Sequence, residues 1–94
     1  MRLNAKQRKA LEKALENVEG EVYLFGSRID DTKKGGDIDI LILSESDPFE
    51  ISRNVSTKFF IECEEKIDVI VMNPNIHNQE EEAFLKVIEK IRIK

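Results

Sequence analysis

The sequence predicts a single α/β (α+β) domain over residues 1–94, with helices packed on a small mixed β-sheet of three to four strands. Three observations point there. Apolar residues recur at helical spacing near the start, middle and end of the chain. Short runs of aliphatic and β-branched residues lie between those stretches. Helix-start signatures precede each helical stretch.

Residues 4 to 18 place Leu11, Leu15 and Val18 at i, i+4 and i+7, beside Ala10 and Ala14, which gives one apolar stripe on a charged helix. Asn4 and Gln7 have the spacing of a capping box, and Gly20 is the expected terminator. "EVYLF" at 21 to 25 reads as a buried strand that stops at Gly26. In "DIDILIL", from Asp37 to Leu43, the two-residue period sends Ile38, Ile40 and Ile42 to one face and both aspartates to the other. Asp47, Pro48 and Glu50 open a helix whose stripe is Ile51, Val55, Phe59 and Cys63, with Phe60 alongside. "KIDVIVM" at 66 to 72 is the next strand, followed by the turn signal "NPN". Asn78 with Glu81 starts the last helix, acidic in its first turn and basic in its last, with Phe84, Leu85, Ile88 and Ile91 as its expected buried side. The predicted order is α-β-loop-β-α-β-α.

Composition narrows the function. With 40% apolar and 36% charged residues the chain is an ordinary folded domain. Its net charge of −4, from 15 basic and 19 acidic side chains, lacks the cationic field of non-specific nucleic-acid binding, so nucleic acid is not expected as the main partner. Cys63 is the only cysteine, which excludes an internal disulfide and fits a reducing cytoplasm. The amino terminus has no apolar stretch of signal-peptide length, and no run approaches the roughly 18 residues of a spanning helix. A cytoplasmic protein without membrane attachment is expected. Its small size invites a homodimer or a partner.

The chemistry concentrates in "LFGSRIDDTKKGGDIDILIL" and in Asp68. Asp37 and Asp39, at i and i+2, share a strand face roughly 6.5 to 7 Å apart, a separation from which two carboxylates converge on a divalent cation. A hard, oxygen-seeking ion such as Mg²⁺ explains why a strand tolerates both charges. Asp68 interrupts the next strand in the same way and completes a three-carboxylate cluster if the two strands are neighbours. Upstream, Gly26 lets a phosphate approach the backbone, Ser27 adds a donor and Arg28 offers a fork of N–H groups. Taken singly, each feature has a plainer reading: a turn glycine, a solvated strand end, an edge-strand charge that deters aggregation. Together they are the equipment of phosphoryl or nucleotidyl transfer. Other templates fail. No Walker lysine motif or GxGxxG occurs, and "DDTKKGG" lacks the carboxylates of a calcium loop. His77 and Cys63 have no second ligand or base at useful spacing, and Lys33 and Lys34 read as a solvated loop.

"GSR", the spacer to Gly36, "DID" and a later strand aspartate together resemble the nucleotidyltransferase superfamily that includes DNA polymerase beta and kanamycin nucleotidyltransferase. The short chain is similar to its minimal nucleotidyltransferase (MNT) branch. The resemblance implies a nucleotidyltransferase fold. It also implies that Gly26 and Ser27 hold the phosphates of a nucleoside triphosphate, with Arg28 nearby. Asp37 and Asp39 would bind Mg²⁺ with that triphosphate, and Asp68 would be the third carboxylate, sharing a metal and activating the attacking hydroxyl. The sequence departs from many relatives after the arginine, where Ile29, Asp30 and Asp31 replace a small residue, a basic residue and glycine. The MNT branch further implies a HEPN-domain ribonuclease as partner in a toxin–antitoxin pair. The MNT member would neutralise it by transferring AMP from ATP to a tyrosine hydroxyl, or by binding alone.

Overall fold

The computed structural model describes residues 3–26, 38–75 and 78–94. Along the chain run α1 (Ala5–Leu15), β1 (Glu21–Phe25), β2 (Ile38–Leu43), α2 (Pro48–Cys63), β3 (Ile67–Met72), α3 (Gln79–Val87) and β4 (Lys90–Arg92). The helix starts are those the sequence specifies. Asn4 Oδ1 accepts the Gln7 amide at 2.7 Å while Gln7 Oε1 accepts the Asn4 amide at 3.0 Å, and Asn78 and Glu81 repeat the exchange at α3. Asp47 caps α2 ahead of Pro48.

The strands lie in the order β3-β2-β1-β4. β1 pairs antiparallel with both β2 and β4, and β2 pairs parallel with β3, so the sheet is mixed. Both helices α1 and α2 cover one face. There Ala10, Leu11, Ala14, Leu15, Val55, Phe59 and Cys63 pack on Val22, Leu24, Ile38, Ile40, Ile42 and Ile67. Phe59, Val22, Leu24, Ile40 and Ile42 lose all solvent contact, each contributing roughly 1.5–3 kcal/mol of apolar burial. Ile38, Ile40 and Ile42 thus occupy the predicted face of β2.

Three expectations are corrected. The first helix ends at Leu15 rather than near Val18, and the Lys94 ammonium donates to the carbonyls of Leu15 and Val18 just past its end. Gly20, at φ +123°, serves instead at the entry to β1, where an added Cβ would run into the Leu43 carbonyl on the neighbouring strand. Phe60, expected beside the apolar stripe of α2, is 49% exposed.

The largest difference is at the carboxyl end. The last helix stops at Val87, Ile88 is an extended cap, and Lys90–Arg92 form a fourth strand. Ile91 is therefore not on a buried helix side but on a strand, 38% exposed, and α3 has no fully buried residue. Ile91 and Ile93 fit a period of two as well as Ile88 and Ile91 fit a helical one. The free hydrogen-bonding edge of β1 decides for strand, with Ile93 and Lys94 amides both donating to the Val22 carbonyl.

Candidate active site

Alternation on β1 and β2 sets up the second face of the sheet. Val22 and Leu24 point into the helical core, so Glu21, Tyr23 and Phe25 point away from it. On β2 the residues left over after Ile38, Ile40 and Ile42 are Asp39, Leu41 and Leu43.

The pairing on which the predicted site depends is present. Asp39 and Asp68 are register partners across the parallel β2–β3 pair. Adjacent strands run about 4.7–4.9 Å apart, and paired residues project from the same face. Two carboxylates accordingly stand side by side near the start of both strands, Asp39 half-buried and Asp68 exposed. Asp39 is also the register partner of Phe25 on β1, and Phe25 is the partner of Lys90 on β4. One row of the outer face reads Asp68, Asp39, Phe25, Lys90 across all four strands.

Gly26 closes this row from above. Its φ is +79°, and a Cβ built on it would fall on the Asp39 Oδ2 oxygen and lie 3.3 Å from Cγ. Only glycine leaves the Asp39 carboxylate where it is, so the backbone at the end of β1 and the carboxylate on β2 are in direct apposition. Asp37, Ser27 and Arg28, the other predicted site residues, lie outside the described residues, as do Lys33, Lys34 and His77.

Two adjacent carboxylates repel in the absence of a counter-charge. Their oxygen donors suit a hard divalent cation, and the lack of a side chain at Gly26 lets its backbone lie directly against the Asp39 carboxylate. The residues present therefore fit a divalent metal ion. Among the described residues no group of three His, Cys, Asp or Glu side chains is arranged to hold a metal ion. The third predicted ligand, Asp37, lies outside them.

Phe25 stands beside Asp39 on this face, and Phe84, expected on the buried side of the last helix, packs against it there. Phe84 of α3 meets Phe25 edge to face, with ring centroids 5.6 Å apart and planes at 86°. Lys90 lies over the Tyr23 ring, 5.4 Å from its centroid. Period-two alternation puts Phe25 on the face opposite Leu24, but only the β1–β2 register reveals that this is the face of Asp39.

Cys63 is no part of the site. It sits 5% exposed in the helical core, and burial pushes its thiol above the ordinary range, with the charge of Glu65 adding to the effect and a hydrogen bond to the Glu65 backbone opposing it. A groove of about 490 Å³ between α1 and the carboxyl-terminal strand, walled by Leu3, Leu11, Leu15, Ile91 and Ile93, contains neither Asp39 nor Asp68. Among the described residues no helix is long and apolar enough to cross a membrane.

The model of the nucleotidyltransferase domain family matches residues 5–94 of the chain. No curated protein matches it.

Proposed function

The chain belongs to the nucleotidyltransferase domain family, and from that premise we propose that it is a Mg²⁺-dependent enzyme that moves AMP from ATP to a hydroxyl of a partner protein. Nucleotidyl transfer is the general activity of the family. The observation that carries the proposal is the register of Asp39 with Asp68 beside Gly26.

In this reading Asp37, Asp39 and Asp68 hold Mg²⁺, which when bound neutralises triphosphate charge and polarises the α-phosphoryl group. Gly26 admits the phosphates to the backbone, Ser27 donates to them, and Arg28 grips an oxygen in fork geometry. The acceptor oxygen forms a bond to the α-phosphorus while the bond from that phosphorus to the α–β bridging oxygen breaks. Pyrophosphate departs, and the hydroxyl proton passes to the exposed Asp68 carboxylate and on to water. Positioning of the two reactants and electrostatic complementarity to the transferring group supply most of the rate.

For the partner we propose a HEPN-domain protein, with this chain as the antitoxin of a cytoplasmic toxin–antitoxin pair. The support is the resemblance of the GSR and DID motifs to the MNT branch. Incubation of the protein with the product of its adjacent reading frame, Mg²⁺ and ATP should add one AMP to that product, read by intact mass. Absence of an adduct with every nucleoside triphosphate, while the two proteins bind, refutes transfer.

A second reading, neutralisation by complex formation alone, is favoured by the exposure of Phe60 and Ile61, 49% and 71%, on α2. The Asp39→Asn, Asp68→Asn double variant separates the two. Retained neutralisation supports the binding module, and lost neutralisation by a folded variant supports the enzyme.

A further inference from the structure

The geometry points to a nucleobase subsite formed by Phe84 and Phe25, beside the Asp39–Asp68 pair on the outer face of the sheet. The inference rests on the proposed triphosphate site and adds to it the place where the base stacks. It follows from the order of the row across the sheet. Asp68 stands on one side of Asp39, at the edge strand, and Phe25 stands on the other. A triphosphate held at Asp39 and Gly26 therefore has an exposed carboxylate on one flank and an aromatic wall on the other. The acceptor hydroxyl needs the carboxylate flank, which leaves the aromatic flank for the nucleoside.

The distances agree with that assignment. Directly opposed side chains in an antiparallel pair have Cβ atoms about 4.5–5.5 Å apart, which is the step from Asp39 to Phe25. A ring contact of 5.6 Å then leads to Phe84. Phe25 is therefore one strand from Asp39, and Phe84 is one ring contact beyond it.

The rings are suited to the role. An edge-to-face pair at 86° occupies one ring face and leaves the others outside the contact. Both phenylalanines are half-buried, and Phe84 belongs to a helix with no fully buried residue. Through its contact with Phe25, Phe84 lies on the same sheet face as the carboxylates. Stacking on such a wall accepts any base, because every base has a π-face, so the subsite raises affinity for nucleosides as a class.

The test compares Mg²⁺–tripolyphosphate with Mg²⁺–ATP as ligands, by calorimetry on the full chain. The wild-type protein should prefer ATP by roughly 5- to 150-fold, the range that stacking of one base supplies. Phe84→Leu should bring that ratio near unity and leave tripolyphosphate affinity unchanged, and Phe84→Tyr should restore the preference. Circular dichroism shows that each variant is folded, and if Phe84→Leu is not, Phe25→Leu makes the same comparison. A folded variant that keeps the full preference for ATP overturns the base subsite alone. Failure of the wild-type protein to bind either ligand overturns the triphosphate site and the base subsite with it.

Discussion

Gly26→Ala isolates the contact on which the site is built. At φ +79° an alanine is strained by about 1–2 kcal/mol. For a domain of this size that lowers Tm by roughly 4–8 °C per kcal/mol. The new methyl also falls on Asp39 Oδ2, the far end of a side chain that can rotate away. The fold should therefore survive while the carboxylate moves by about the length of a bond. A misplacement near 1 Å at a reacting centre costs on the order of 10²-fold, so kcat/KM for nucleotidyl transfer should fall by about that factor with the protein still cooperative. Gly20→Ala provides the contrast. There φ is +123° and the obstacle is the Leu43 backbone carbonyl, which cannot step aside. That variant should lose about 3 kcal/mol of stability, with residual activity tracking only the folded fraction. Thermal melts and transfer assays on both variants decide the matter. Wild-type activity in folded Gly26→Ala would refute the claim that the Gly26–Asp39 apposition builds the site.

Asp68 is exposed on an edge strand, so Asp68→Asn should change stability by less than about 0.5 kcal/mol in urea denaturation while removing transfer. Phe59→Ala, at a position with no exposure, should cost about 3–5 kcal/mol and shift the urea midpoint without altering KM of the folded protein. Asn78→Ala removes the acceptor that caps α3 and should cost about 1 kcal/mol, seen as faster amide exchange at Glu81. Burial raises the Cys63 thiol in the folded state above its ordinary 9.0. The unfolded chain then loses its proton first, so the contribution is intact below that pH and declines as pH rises past it. Cys63→Ala should flatten this alkaline decline in a pH series of melts.

Much of the fold could be read locally because caps and alternation are local signals. Asn4, Asp47 and Asn78 each start a helix through hydrogen bonds to residues two or three positions away, and Ile38, Ile40 and Ile42 share a face by the geometry of a single strand. The carboxyl end was not legible in that way. Ile88 and Ile91 fit a helical period while Ile91 and Ile93 fit a period of two, and the choice rests on an edge of β1 that exists only in the assembled sheet. The site divides along the same line. Residue type and spacing marked Gly26, Asp39 and Asp68 as a set. The parallel β2–β3 pairing that joins the two aspartates, and the antiparallel register that brings Phe25 beside them, are tertiary facts. The stripe that predicts a buried Phe84 does not show which sheet face the helix meets.

In the proposed mechanism Asp39 and Asp68 act as one unit. A double-mutant cycle on transfer of AMP, with Asp39→Asn, Asp68→Asn and the double variant, measures this directly. Either substitution alone should cost nearly as much rate as both together. Additive losses in folded variants, or a single variant that retains wild-type transfer, would contradict it.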